Sequence, residues 1–468
     1  MIAAVSRRGA CPALSSPMRT GDGLLVRLNP VSGGLTPGQL AGLCNSAARH
    51  GNGIVEVTAR GSFQIRGLTP ASAPALAADV DALGIAVRAG VPVETGPLAG
   101  LDPAELADPR PLAEAIRRGV SQAALSMRLG PKVSVVVDGG GRIGLDAVAA
   151  DVRLKALRPG VWKLSLAGTA ETALPVAELN EKDAAATTLK VLGRIAAAGL
   201  AARARDVAVS LRRDLHRPPS VLPDISPSRG EIGRPQGFRQ SSKLPISPLE
   251  GEMSGRTEGG RLNSDLLKLT DRRIALMISL PFGSATAGDL TRFAASAEAA
   301  GCGELRLAPA RRLLVLCPDL TAADVLRTEA ESLGFITDPA DPRRSVSACP
   351  GAPACASGRF RTRPAALEIV QQARGLLDGS LHVSGCAKGC AHPAAAVLTL
   401  VGGEKGVGLV VKGTARDTPL AYSRPKALGG SLRRLARLAA AERRTDETLA
   451  ACLSRIGADR LAAAFRQE

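Results

Sequence analysis

Two stretches of the chain share one rhythm of apolar and polar positions. Setting "LTPGQLAGLCNSAARHGNGIVEVTARGSFQI" (35–65) over "ATAGDLTRFAASAEAAGCGELRLAPARRLLV" (285–315) needs no gap. Thr36 falls on Thr286, Gly38 on Gly288, Leu40 on Leu290, Ala47 on Ala297, Gly51 on Gly301 and Gly53 on Gly303. The alternation of Val55 and Val57 meets that of Leu305 and Leu307. Each copy predicts a short strand, a helix opened by a Thr cap, a Gly-terminated turn and a two-stranded hairpin. This is a duplicated β-α-β-β unit, and neither copy buries enough surface to stand alone.

The segments downstream of the two copies also parallel each other. After the first, "PRPLAEAIRRGVSQAALSMR" predicts a helix, "KVSVVVDGG" (132–140) a buried strand ending in a Gly turn, and "TTLKVLGRIAAAGLAARA" a second helix. After the second, "AALEIVQQARGLL" predicts a helix, "LHVSG" a strand, and "AAVLTLVGG" and "VGLVVKG" two more. The expected fold class is α+β, with two half-units combining in one sheet and two α/β domains beside it. The expected boundaries are 1–100 for the first half-unit, 101–222 for the first α/β domain, 265–343 for the second half-unit, and 344–468 for the second α/β domain with a helical tail. Between the halves, residues 223–264 are rich in Pro, Gly, Ser and Arg without apolar period, and "ISPSRGEI" nearly repeats as "ISPLEGEM". A disordered low-complexity insert without chemistry is expected there.

Composition narrows the class. The chain has 468 residues, 45% hydrophobic and 22% charged, with no apolar run near the roughly 20 residues a membrane span needs. "MIAAVSRRGACPAL" lacks the apolar core of a signal peptide, so a cytoplasmic protein is expected. A net charge of +17 invites a nucleic-acid partner, but aromatics are only 2% and offer almost no stacking platform. The basic residues are dispersed over the insert and the Arg-rich tail after 424, so nucleic acid is set aside and a polycarboxylate ligand stays open.

Nine cysteines are present. Cys11, Cys44, Cys302, Cys317 and Cys452 are scattered, whereas "SACPGAPACASG" and "SGCAKGCAHP" gather Cys349, Cys355, Cys386 and Cys390. An odd count with one tight group is no disulfide framework, and clustered thiols point to metal. Zinc and an iron-sulfur cluster both accept four thiolates. The wide C-x5-C and C-x3-C gaps, set among Gly351, Gly358, Gly385 and Gly389, suit a 4Fe-4S cluster better than one small ion. The glycines of "VDGGGRIG" (137–144) do not fit a dinucleotide fingerprint, and a hairpin turn accounts for them equally well.

"CPGAPACASG" followed by "HVSGCAKGCAHP" resembles the cluster motif of the sulfite and nitrite reductase superfamily, whose duplicated layout also matches. The resemblance implies two ferredoxin-like half-units and a tetrapyrrole site lined by a T-x-R-x-x-x-Q motif, here Thr58, Arg60 and Gln64, with Arg66 beyond. The departures are specific. Where sulfite reductases carry an Asn-Arg-Asn loop, "VPVETGPLAGLDP" (91–103) has no Arg, and their Lys-x-Lys keeps Lys132 but has Ser134 for the second Lys. Cationic clamps for a small oxyanion are thinned while the cluster motif is kept.

"RRGACPALSSPMRTGDGLLVRL", "PKVSVVVDGGG" and the two cysteine motifs instead resemble the precorrin-3B synthase family of aerobic cobalamin synthesis. That resemblance implies a monooxygenase acting on precorrin-3A with O2, hydroxylating C20 and closing a ring A acetate into a γ-lactone. The rival readings are a sirohaem-dependent sulfite or nitrite reductase, and a non-catalytic cluster or zinc protein with acidic partners.

By that resemblance the metal ligands are Cys349, Cys355, Cys386 and Cys390. Arg60, Arg66 and Lys132 are the cations for substrate carboxylates, with Gln64 as a neutral partner. Arg60 and Arg66 as plain strand residues is the alternative. Lys388 is placed to meet a carboxylate or to reach solvent. His382 and His392 flank the second cysteine loop, either as ligands of an additional mononuclear iron or as a core residue and a turn cap. A sirohaem beside the cluster stays open, NADH enters only indirectly through a separate electron-donating reductase, and no residue is assigned as catalytic.

Overall fold

The computed structural model describes residues 12–31, 34–216 and 265–466. The insert expected over 223–264 and Cys11 lie outside them. Both copies of the repeat form the elements their patterns predict. Strand Gly34–Leu35 leads into helix Pro37–His50, where Thr36 Oγ1 accepts the Gln39 N–H and Gln39 Oε1 accepts the Thr36 N–H, a reciprocal capping box. Strand Ser284–Thr286 leads into helix Ala287–Ala299, with Thr286 Oγ1 accepting the Asp289 N–H. Hairpins come next, Ile54–Val57 with Phe63–Leu68 and Glu304–Ala308 with Arg312–Cys317.

The single shared sheet needs correction. The half-units form two five-stranded sheets that exchange an edge strand: Ser284–Thr286 pairs with Ile54–Val57, and Gly34–Leu35 pairs with Glu304–Ala308. Each short strand runs almost directly into a helix, and helices Pro37–His50 and Ala287–Ala299 pack on one another. The strand is thereby delivered to the other unit's hairpin. One hydrophobic core, with Val26, Leu40, Phe63 and Leu76 from the first unit and Ile278, Phe293, Val315 and Leu326 from the second, runs through both. Strands Met18–Thr20 and Gly23–Leu28, matched by Leu266–Lys268 and Ile274–Ser279, and helices Ser72–Ala82 and Leu320–Ser332 complete the two units symmetrically.

The α/β domains repeat each other as well. The first has Val93–Thr95, Val135–Asp138 and Ala150–Arg158 in parallel, then Val161–Gly168 and Leu174–Asn180 antiparallel. The second has Val346–Ala348, Leu381–Ser384 and Ala396–Gly403 in parallel, then Gly406–Gly413 and Ala421–Ser423 antiparallel. The glycines after Val137 therefore introduce a crossover and not the hairpin turn expected, because the strands they join are parallel. Val135 pairs with Val152 and Leu381 with Leu398, so the crossover has the same length in both domains. Position by position, Val136 corresponds to His382, Gly140 to Cys386, Arg142 to Lys388, Gly144 to Cys390 and Asp146 to His392.

Half-units and α/β domains dock crosswise. On the second half-unit, Ala275, Met277, Leu314 and Leu316 face away from the helices and pack on Leu98 and Ile143 of the first α/β domain. The corresponding face of the first half-unit meets the second α/β domain, where Arg66 donates to Ala354 O. The tail forms helices Leu428–Glu442, Leu449–Ile456 and Ala458–Phe465, which add Leu432, Leu435, Leu453 and Phe465 to the core of that domain. Among the described residues no helix is long and apolar enough to cross a membrane.

Residues 12–216 and 265–466 produced as separate chains are expected to unfold without cooperativity, and to regain it when mixed, since each supplies the other's fifth strand. Circular dichroism against denaturant, on separate and mixed chains, checks this.

Candidate metal centre

The four clustered thiols stand at one end of two adjacent parallel strands. Cys349 follows Val346–Ala348, and Cys386 and Cys390 follow Leu381–Ser384. The Gly385 N–H donates to Cys349 Sγ at 3.1 Å. A Cβ at Gly385 would lie 3.2 Å from the Cα atoms of Gly351 and Gly358 and 3.5 Å from Cys349 Sγ, so any side chain there would push the two loops apart by a few tenths of an ångström. At the exposed rim Lys388 Nζ donates to Ser357 Oγ at 2.6 Å, tying the loops together. Loss of solvent pushes the Cys390 thiol up, and the sulfurs of Cys386, Cys349 and Cys355 act in the same direction. The four thiols are thus neighbours, yet among the described residues no three His, Cys, Asp or Glu groups converge as ligands of one ion do. Four neighbouring thiols, with a backbone N–H aimed at one of them, have the donor chemistry that would hold an iron-sulfur cluster.

The first half-unit presents a polar row to this domain. Alternation along the strands turns Val26, Val55, Val57, Phe63 and Ile65 into the core and Arg27, Glu56, Gln64 and Arg66 to the opposite face. Gln64 lies in register between Arg27 and Glu56, accepting from Arg27 Nη2 at 2.9 Å on Oε1 and donating through Nε2 to Glu56. Buried Glu56 also accepts from Arg363 of the cluster domain, and Arg66 Nη1 lies 3.8 Å away. Arg66 is itself buried, donating to Asp22 through Nε and Nη2 and to Ala354 O at 2.6 Å. The turn carrying Asp22 abuts the same loop, since a Cβ at Gly21 would collide with the backbone of Cys355 and Ala356.

Arg60 stands on the hairpin turn and reaches the first α/β domain. It donates to Ala149 O at 2.9 Å, pairs with Glu94 at 3.1 Å and lies 3.4 Å from Ser134 Oγ. Lys132 stands exposed just before strand Val135–Asp138. Sequence reasoning therefore nominated residues from two places: Gln64 and Arg66 beside the cluster loops, Arg60 and Lys132 at the other α/β domain. It missed Arg27, Glu56, Arg363 and Arg311. Arg311, on the second hairpin turn, donates to Ser347 Oγ at 3.3 Å and Ala391 O at 2.7 Å, reaching the second α/β domain as Arg60 reaches the first.

His382 does face the interior, as one of the two readings had it. It is fully buried, neither ring nitrogen has a partner among the described residues, and its ring centroid is 5.7 Å from that of His392. Burial, reinforced by His392 and Arg311, pushes it down to about 4, so the imidazole is neutral. Its counterpart in the first domain is Val136, packed among Leu145, Val148 and Ala150.

The first domain closes the equivalent loops with its own side chains. Asp102 accepts the Arg142 backbone N–H at 2.6 Å and its Nε at 2.9 Å, and Glu105 accepts the Gly100 N–H at 2.6 Å. Burial pushes Glu105 up to about 7.

Comparison with known proteins agrees with this architecture. Residues 16–83 match the model of the nitrite/sulfite reductase ferredoxin-like half domain. The structure of the Mycobacterium tuberculosis NirA protein superposes with a TM-score of 0.68 at 19% identity, over 94% of this chain and 84% of that one. A ferredoxin–nitrite reductase of Synechococcus elongatus is 25% identical over 81% of this chain and 76% of its own length. Together these define a protein with the duplicated nitrite/sulfite reductase fold. A precorrin-3B synthase of a Sinorhizobium species is 40% identical over 98% of this chain and 95% of its own length. The chain belongs to the precorrin-3B synthase family and is an oxidoreductase.

Gly385→Ala should leave the far-ultraviolet circular dichroism intact and weaken cluster retention about 10- to 100-fold, the cost of disturbing groups that orient metal ligands; iron and sulfide content after gel filtration measures it. For Glu105 the folded-state value lies above its ordinary 4.5, so between pH 4.5 and about 7 the folded chain holds a proton the unfolded chain has released. Its contribution to stability is complete below 4.5 and is lost as pH rises through 7. Glu105→Gln should remove that component from denaturant midpoints measured across this range.

Proposed function

We propose that this chain converts precorrin-3A to precorrin-3B. One atom of O2 becomes a hydroxyl on C20 and the other leaves as water, with two electrons and two protons supplied from outside. The ring A acetate closes into a γ-lactone. The observation that carries this reading beyond family membership is the state of Arg60. Its charge is offset by Glu94 at 3.1 Å, and a serine stands beside it where the reductases place a lysine. That environment is poorly equipped to draw a small oxyanion and leaves neutral and charge-balanced donors for a large macrocycle.

In this reading Cys349, Cys355, Cys386 and Cys390 hold a four-iron four-sulfur cluster, which supplies single electrons delivered by a separate reductase using NADH. Gln64 and Arg27 present hydrogen bonds from the sheet face, exposed Lys132 offers charge at one rim, and Lys388, held by Ser357 Oγ, offers it at the other. Arg66, with Asp22, Glu56 and Ala354 O around its guanidinium, positions the first cysteine loop. An additional mononuclear iron, where O2 could bind, would draw on His382 and His392, whose rings lie 5.7 Å apart.

The iron-loaded full chain, given precorrin-3A, O2 and a reductant, is expected to yield a product heavier by one oxygen atom that carries label from 18O2. A sirohaem absorption band with turnover of sulfite or nitrite, and no labelled product, would overturn the reading.

A further inference from the structure

A cleft of about 340 Å3 opens beside Arg60, between the first α/β domain and the half-units, and arginines dominate its walls. Most of their charge is already committed. Arg60 pairs with Glu94. Arg110 pairs with Asp108 at 2.7 Å, and Arg306 with Glu304 at 2.8 Å while also donating to Pro97 O. Arg117 donates to Val93 O at 2.7 Å through Nη2 and has Glu114 3.5 Å from Nη1.

Arg88 differs from these. Its backbone is fixed, with the N–H donating to Asn29 O at 2.9 Å next to the bridge between Pro30 and Val87. Its side chain forms no ion pair or hydrogen bond among the described residues, and its Nε is buried without a partner. Burial lowers the Arg88 guanidinium's affinity for its proton, and Arg117 across the cleft acts the same way, with Glu94 only partly opposing. A solvated surface arginine would point its Nε to water. Holding a guanidinium half out of water beside a second one is costly unless an anion joins them. The planar N–H fork of arginine takes a carboxylate, like a phosphate, through two parallel bonds, and the substrate proposed above carries its charge on carboxylates.

We propose that Arg88 and Arg117 form a carboxylate subsite that takes one acetate or propionate arm of the tetrapyrrole, anchoring the macrocycle beside Arg60. The inference rests on the substrate reading above and adds residues that the cluster motif and the T-x-R-x-x-x-Q motif do not indicate. A carboxylate here accepts N–H donors from both guanidiniums and gives Arg88 the partner it lacks.

Anaerobic titration of the cluster-loaded full chain with precorrin-3A, followed by absorbance, tests this. Arg88→Gln should weaken binding about 10- to 100-fold, the range expected for losing a hydrogen bond to a charged group. Arg88→Lys, which keeps the charge without the fork, should recover part of it, and Arg117→Gln should weaken binding in the same range. The dependence of affinity on salt should flatten in the Gln variants. Unchanged thermal midpoints and iron content in Arg88→Gln exclude a folding defect, since Arg88 makes no side-chain bond that the fold would lose. Wild-type binding matched by Arg88→Gln would overturn the subsite and leave the function standing. No wild-type binding at all would instead overturn the substrate reading. Protection of wild type but not Arg88→Gln by millimolar inorganic phosphate, with precorrin-3A binding unaffected, would assign the cleft to a free anion and also overturn the subsite.

Discussion

A two-residue strand cannot satisfy its own backbone, and the architecture depends on where Gly34–Leu35 and its three-residue counterpart Ser284–Thr286 find partners. Every buried N–H and C=O must be paired, and an edge left open invites another chain. Exchanging these strands caps both sheets at once and locks the two helices that follow them face to face. With the half-units fixed as one body, their two outer sheet faces are turned to opposite α/β domains. The cysteine loops lie against the first half-unit, while Leu98 and Ile143 of the other α/β domain cover the second.

Duplication makes the molecule its own control. The outer face of the second half-unit carries Met277, Leu314 and Leu316 where the first carries Arg27, Gln64 and Arg66, in the same strand register. The apolar version shows what the fold requires of that face, which is only close packing. The polar version carries a desolvation cost that hydrogen bonds merely offset, and removing one partner of such a buried ionic group costs about 3–5 kcal/mol. Glu56 must therefore keep Gln64 and Arg363 together. The same comparison marks His382, whose counterpart Val136 fills an ordinary apolar pocket, whereas His382 has two nitrogens without a partner among the described residues, beside the cysteine loop. Polar groups placed where the fold accepts valine, methionine or leucine mark function.

The duplicated elements were legible because their periodicity is local: Thr36 and Thr286 cap helices, and Val55, Val57, Leu305 and Leu307 alternate as strands must. Strand exchange was not legible, since nothing local distinguishes a short strand that pairs with its own hairpin from one that pairs with its twin's. Strands Ala150–Arg158 and Val161–Gly168 carried a signal that went unread, since Val152, Leu154 and Ala156 alternate with Arg153 and Lys155, and Trp162, Leu164 and Leu166 with Lys163 and Ser165. The cysteine loops could be read from spacing alone. Arg27 and Glu56 could not, although a signal was present: extending the gapless alignment upstream sets Arg27 over Met277. "VDGGGRIG" also becomes intelligible, as the first domain's version of "SGCAKGCA" with glycines at the thiol positions.

The large positive charge resolves into unequal parts. In the tail, Arg455 meets Glu447 at 2.7 Å, Arg460 meets Glu442 at 2.6 Å, and Arg434 donates to Ala464 O and Arg466 O. These contacts fasten helices to each other near the surface, where solvent screens them, and none of these arginines presents a free basic stripe. Arg311 and Arg363 are instead held out of water at the cluster domain, pointing at carbonyls, hydroxyls and the one carboxylate of Glu56. A phosphate backbone asks for cations spread along an accessible track. Cations gathered in two places, most of them balanced by the chain's own carboxylates and Arg88 left without one among the described residues, suit a compact ligand that carries its negative charges on several arms.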